Sequence, residues 1–429
     1  MKREKTKTKL VFIALLPVLG HILALAYSMV RYNYMPSGRI DWLVFAVLFI
    51  YVISILLASR NKERLIKLVL IVYSFIIASA SIEVTSRFFH RKIETPWTQG
   101  KSIKYVEGKN IVATEPRVEF TTNRYGLRGP NIKLSVADLK FVTVGGSSTE
   151  CRYISDEQSW PWKFQDDLAA RLNKSIIVFN AGKGGLHALN HIYFLRHYSW
   201  IEEFDWVIVM CGINDMGRLL HGTYDDRTIY AFDDTLALVE TKNRVYYKDS
   251  IIVQNIIFIY KNIFSHEIVI RDPKGFWYER ERELRKVLLK RNPVDEIPRG
   301  MDKALDIYKD DLKEMISICR DRGQNILMIT QPTLYGKDLP SELDGLIWEH
   351  VGRSGAYTTS VLESIMNRYN DSMIEVCIDE GVPYIDMASL LPKNTTVFYD
   401  DCHFNVSGCE RVAKILSDYF RDIYGQISK

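Results

Sequence analysis

From about Gly100 to the C-terminus, short runs of aliphatic and β-branched residues alternate with longer amphipathic stretches, and this alternation leaves few folds open. The runs are Lys140 to Val144, Ser175 to Phe179, Trp206 to Met210, Asn325 to Thr330 and Pro383 to Met387. Between them lie Trp162 to Leu172, His187 to Trp200, Asp302 to Asp321 and Tyr357 to Glu380, and Val406 to Tyr424 closes the chain. Strands read as unbroken apolar runs when helices cover both faces of a parallel sheet. The pattern therefore predicts an α/β fold, a three-layer, flavodoxin-like doubly wound parallel sheet.

Open sheets of this kind bind ligands beyond the carboxyl ends of their strands, near the point where the strand order reverses. Chemistry should then sit directly after each run. Polar clusters stand there: Gly145-Gly146-Ser147-Ser148-Thr149-Glu150, Asn180-Ala181-Gly182-Lys183-Gly184-Gly185, Gly212-Ile213-Asn214-Asp215, Thr330-Gln331-Pro332 and, after the last run and a loop, Asp400-Asp401-Cys402-His403.

The N-terminal part is different in kind. Leu10 to Met29, Trp42 to Ala58 and Leu68 to about Ile82 are three apolar stretches, each near the ~17–25 residues a helix needs to cross a bilayer. They predict an all-α membrane anchor over residues 1–95, ahead of a catalytic domain over 96–429. The first stretch is not read as a cleaved signal peptide, because two more follow it and no small-residue cleavage pattern is present. Basic residues flank the first stretch (Lys2, Arg3, Lys5, Lys7, Lys9) and the second loop (Arg60, Lys62, Arg64). By the positive-inside tendency these stay cytoplasmic, so three spans put the later residues on the exoplasmic side of a cytoplasmic membrane; a third stretch that fails to cross would leave them cytoplasmic. His21 and Glu83 are too few to suggest a transport path and fit a plain anchor.

Charge and cysteine usage narrow the function. A net charge of +4 over 429 residues, without a basic and aromatic groove, predicts no nucleic-acid partner. The six cysteines show no CxxC pair and no regular Cys/His spacing, so neither a metal site nor a cofactor is expected. In an oxidising compartment Cys402 and Cys409 are the pair able to join. Residues 216–300 interrupt the βαβ series; the apolar Ile251 to Ile270 and charged Tyr278 to Arg291 suggest a helical insertion, either a lid or a stabilising element.

A serine hydroxyl attacks an ester only when a base takes its proton, and an imidazole serves best when a carboxylate fixes its tautomer. Ser147 stands at a strand-to-helix turn behind two glycines. Asp400 and His403, three apart, share a loop. Gly185 offers a backbone N–H and Asn214 a side-chain amide for an oxyanion. Each feature alone is ordinary; in this order, Ser, Gly, Asn and Asp/His after successive strands, they resemble the four blocks of the SGNH/GDSL hydrolase superfamily. The likeness covers about Leu139 to Ile423, and Thr121 to Gly129 is similar to a lead-in of many bacterial members.

The resemblance implies Ser147 as nucleophile, His403 as base, Asp400 as its partner, and Gly185 and Asn214 as oxyanion donors. Gly146 departs from the family's usual Gly-Asp-Ser. Asp401 leaves room for a one-residue slip in the carboxylate, although spacing favours Asp400, and Gly182 competes with Gly185. Thr149 breaks the rival Gly-x-Ser-x-Gly motif. Asn173, Asn370, Asn394 and Asn405 head glycosylation sequons, but a glycan two residues from His403 would block the site, which favours a bacterial envelope protein. The expected activity is that of a membrane-anchored serine esterase or O-deacetylase, acting on an acylated envelope glycan or lipid through an acyl-serine. An O-acyltransferase using the same residues and an idle SGNH domain serving envelope-assembly partners are the alternatives.

Overall fold

The computed structural model describes residues 11, 13–19, 51–58, 60–89, 97, 102–106, 117–227, 231–232, 238–239, 268–271, 274–348, 351–352 and 355–427. The chain divides into two compact units, Met1–Lys92 with Val239–Ser265, and Ile93–Leu238 with His266–Lys429.

The second unit is built on five parallel strands: β1 (Leu139–Gly145), β2 (Ile176–Asn180), β3 (Trp206–Met210), β4 (Asn325–Ile329) and β5 (Tyr384–Ile385). Their order across the sheet is β5-β4-β3-β1-β2, with Phe141 beside Trp206 and Val178. Every residue of β2 and β3 is buried, which is why these strands read as unbroken apolar runs. The helices are α1 (Trp160–Leu172), α2 (Ala188–His197), α3 (Ile213–Leu220), α4 (Met301–Asp321), α5 (Thr359–Glu380) and α6 (Val406–Ile427).

Right-handed crossovers sort these helices into two layers. On one face α1 packs against α6, and Phe141, Phe164, Trp206 and Phe420 meet edge to face or tilted with centroids 4.9 to 5.5 Å apart. On the other face α4 packs against α2 and α5, where Tyr308 and Tyr369 are 5.0 Å apart. The order reverses between β1 and β3, which places the turns after β1, β2 and β3 around one crevice.

The insertion differs in part from the helical excursion expected. Lys274–Arg291 is a helix, but Ile268–Arg271, rich in β-branched residues, is a strand. It runs parallel to Ser102–Val106, which pairs antiparallel with Arg117–Thr121. The rest of the apolar stretch, 251–267, lies outside the described residues.

In the first unit the expected third span falls within a helix, Lys62–Phe89. Ala14, Ile55 and Leu65 are buried together, and the Tyr51 hydroxyl donates to the Ala14 carbonyl at 2.9 Å. Among the described residues no helix is long and apolar enough to cross a membrane, in contrast to the three spans expected. Lys62, Glu63, Arg64 and Lys67 put charge into the first two turns of Lys62–Phe89. Most of Leu10 to Met29, and Trp42 to Ala58 as far as residue 50, lie outside the described residues.

Candidate active site

The nucleophile turn owes its shape to close approach. β1 ends at Gly145, Gly146 caps a single helical turn, Ser147–Glu150, and Cys151 closes it in the left-handed region. A Cβ on Gly145 would meet the Thr149 side chain and come within 2.5 Å of the Met210 carbonyl of β3; one on Gly146 would come within 2.5 Å of Asn214 Nδ2. Space requires glycine at 145, where the obstacle is backbone, whereas at 146 the obstacle is the end of a side chain; neither has a positive φ. The usual aspartate at position 146 would displace the Asn214 amide.

The lead-in segment secures this turn from below. Arg128 is 1 % exposed and exchanges both backbone hydrogen bonds with Asn180, at 2.9 and 2.8 Å. Its guanidinium donates to the carbonyls of Glu150, Cys151 and Ile154 and pairs with Asp156 at 2.7 Å. These carbonyls have no helix to satisfy them, since the turn stops at Glu150.

The base loop is a small bridge between Phe398 and Phe404, in which the Tyr399 N–H donates to the His403 carbonyl at 3.1 Å. His403 Nδ1 lies 2.8 Å from both Asp400 oxygens. Asp400 Oδ1 also accepts the His403 and Cys402 amides at 2.9 and 3.2 Å, and Oδ2 accepts the Trp348 indole N–H at 3.0 Å. Burial opposes the charge on His403, but the Asp400 carboxylate outweighs it and holds the imidazole well above its ordinary pKa. Burial likewise opposes the charge on Asp400, and His403 with the donated N–H groups holds that carboxyl low.

Asp401, 0 % exposed, bonds to other groups and accepts the Trp348 amide at 2.9 Å and the Tyr335 hydroxyl at 3.3 Å. The carboxylate facing the imidazole is therefore Asp400. The ligand atoms of Asp400, Cys402 and His403 lie within 4.8 Å of one another, but four N–H groups already surround the Asp400 carboxylate, the bonding set of an orienting group.

The donor side is looser. Three glycines follow β2. The Gly182 N–H donates to Asn180 Oδ1 at 2.7 Å and the Gly184 N–H to Glu150 Oε2 at 2.5 Å. The Gly185 N–H, exposed and at φ 80°, has no acceptor among the described residues. Of the competing donors, Gly185 is the uncommitted one. Asn214 Nδ2 gives one hydrogen to the Leu186 carbonyl at 2.8 Å, leaving its second free. Asp215 behind it accepts from the Ala188 N–H of α2 at 3.1 Å, and burial lifts its carboxyl to about 7.

Contacts tie the Ser147 turn to the Asn214 amide and to the loop that carries Asp400 and His403. Ser148 Oγ donates to the Cys402 carbonyl and accepts from Gln331 Nε2, each at 3.2 Å, which ties the turns after β1 and β4 to the base loop. The same nucleophile turn meets Asn214 at Gly146, and a Cβ on Gly184 would lie 3.7 Å from Ser147 Cβ. No hydrogen bond among the described residues joins Ser147 Oγ to His403; in unliganded sites such bonds are commonly long.

Glu150, Gln331 and Trp348 went unanticipated in these roles. Gln331 was legible as a polar residue after a strand; Trp348 had no local signal. All six cysteines are buried free thiols; Cys409 stands 3.9 Å from Cys151 and Cys402 Sγ 3.9 Å from His403 Nδ1, so the Cys402–Cys409 pair conceivable in an oxidising compartment is not formed.

Residues 143–411 match the family model described as GDSL-like Lipase/Acylhydrolase. No curated protein matches. Among solved structures, LAE5, an α/β hydrolase enzyme from the metagenome of Lake Arreo, Spain, is 12% identical, covering 66% of this chain and 96% of its own at a TM-score of 0.36. Axe2, an acetylxylan esterase from Geobacillus stearothermophilus, is 13% identical (65% and 92%, TM-score 0.36), and the acetyl xylan esterase AlAXEase 14% (66% and 99%, TM-score 0.36). With the family model spanning more than half of the chain, from the end of β1 into α6, this protein belongs to the GDSL-like lipase/acylhydrolase family and is an SGNH-type serine ester hydrolase.

Proposed function

We propose that the protein is an esterase or O-deacetylase whose nucleophile is Ser147, acting on an acylated glycan or lipid of the cell envelope. The observation that carries the residue assignment is the buried Asp400–His403 pair at 2.8 Å on a loop bonded to the serine turn through Ser148 and Cys402. Ser147 Oγ adds to the ester carbonyl as His403 Nε2 takes its proton, and Asp400 supports the imidazolium through Nδ1. The carbonyl oxygen becomes an oxyanion held by the Gly185 N–H and the free Asn214 Nδ2–H. Collapse breaks the C–O bond to the alcohol, which leaves with the proton from His403. A water then repeats the sequence on the acyl-serine, releasing the carboxylic acid and restoring Ser147.

The envelope setting rests on the sequence alone, on the apolar stretches before residue 83 and their basic flanks. An ester carried by such a surface, on a glycan or a lipid headgroup, is the acyl donor within reach of a domain so placed. The full-length protein should react with a fluorophosphonate probe and release acetate from acetylated glycans, and Ser147→Ala should do neither. A folded wild type that resists the probe would overturn the reading; acetate appearing on a second sugar would make it a transferase.

A further inference from the structure

We propose that Trp348 is a positioning residue of this site, whose indole N–H holds the Asp400 carboxylate against His403 and draws charge from it. The inference rests on the catalytic roles given above to Asp400 and His403.

Trp348 is held at both ends by the two consecutive acids of the base loop. Its backbone N–H donates to Asp401 Oδ1 at 2.9 Å and its indole N–H to Asp400 Oδ2 at 3.0 Å. The indole and imidazole planes are parallel to within 5°, with centroids 6.4 Å apart, and both rings bring an N–H-bearing nitrogen to Asp400 Oδ2, at 3.0 and 2.8 Å. Tyr399 lies against His403 at 5.6 Å and 10°, and with Tyr153 it packs beside Trp348 in a separate buried cluster. The insertion reaches this segment: Arg282 of the helix Lys274–Arg291 donates to the Leu346 carbonyl at 3.3 Å, and Arg285 to that of Tyr357 at 3.1 Å. Asp401 is thus the residue that places the tryptophan, which gives the doubled acid a purpose.

A carboxylate that accepts one more N–H carries less charge toward its other partner. Trp348 therefore weakens the hold of Asp400 on the His403 proton, leaving the imidazole freer to accept and return protons near neutral pH. The titratable groups facing His403 are Asp400 and Cys402 on its own loop, Tyr399 beside it and Cys151 at the end of the nucleophile turn. Trp348 is the group among its ring neighbours that cannot titrate, so its effect is fixed across pH.

The test compares full-length wild type with Trp348→Phe, and with a protein carrying benzothienylalanine at 348, which swaps the N–H for sulfur at nearly constant shape. In ¹⁵N-histidine NMR, His403 should titrate at higher pH in both than in wild type, whatever the enzymatic activity. With an ester substrate, kcat should fall about tenfold or more, the scale of one hydrogen bond to a charged group, with KM little changed and the acid limb of the pH profile moved upward. An unchanged or lowered His403 titration in the benzothienylalanine protein would overturn the proposal. A wild type inert toward esters would sink the esterase reading alone, because the titration is decided without turnover.

Discussion

The two sides of the crevice are built on opposite plans. On the base side His403, Asp400 and Asp401 are 6 %, 1 % and 0 % exposed, and five N–H groups and a hydroxyl reach the two carboxylates. On the donor side Gly185 is exposed with an uncommitted amide, and Asn214 is half-buried with one hydrogen to spare. The roles proposed for the two sides account for the difference. A base has to be oriented before the substrate arrives, whereas an oxyanion donor is useful only if no protein acceptor has claimed it.

The sharpest way to break this contrast is to remove the base. His403→Ala should cut ester turnover on the order of 10⁴ to 10⁶-fold, measured against a chromogenic ester, while circular dichroism still reports a folded protein. Retained activity would refute the assignment. Arg128→Ala should come next, and through stability instead of rate: it leaves Asp156 buried without its partner, at a cost of about 3–5 kcal/mol in denaturant unfolding. A half-buried donor should behave otherwise. Asn214→Ala should lower kcat about 10²- to 10³-fold with a melting temperature near that of wild type, and a loss of stability comparable to Arg128→Ala would show that the donor side is as rigidly built as the base side.

The smallest effect concerns Asp215, the carboxyl behind the Asn214 donor. Its folded value of about 7 lies above the ~3.9 of an unfolded aspartate, so the folded state binds the proton more tightly. Ionisation therefore penalises the fold progressively from about pH 4 to about pH 7, and fully above that. Asp215→Asn keeps an oxygen for the Ala188 N–H and cannot ionise. It should melt higher than wild type at pH 8 and alike at pH 4; equal melting at both would contradict the buried-charge account.

Sequence reading succeeded where a residue's role is set by local order. β1 to β4 were legible because double burial demands unbroken apolar runs, and the polar clusters after β1, β2 and β3 because such folds carry ligand chemistry there; the roles proposed for Ser147, Gly185, Asn214 and His403 came from the family resemblance. α3 was hidden, since its opening residues are themselves Asn214 and Asp215. The three-stranded sheet joins Ser102–Val106 to Ile268–Arg271, a pairing between distant segments that no short window reports. Trp348 acts on a residue 52 positions away and lies between elements of no clear period. Gly146 was seen, but its reason, the Asn214 amide lying against it, is a contact across the crevice.

Arg128 sets the terms on which the hydrolase can be cut free of the N-terminal region. The family match begins at residue 143, yet the guanidinium beneath the serine turn comes from upstream of it, and the Trp97 indole N–H donates to the Gly182 carbonyl at 3.2 Å. A truncation starting at β1 would discard both, taking the guanidinium away from the carbonyls of Glu150, Cys151 and Ile154, of which Cys151 alone keeps a backbone donor, the Ile154 N–H. The severable enzyme begins before Trp97, and the lead-in is as much a part of the catalytic body as the strands it underpins.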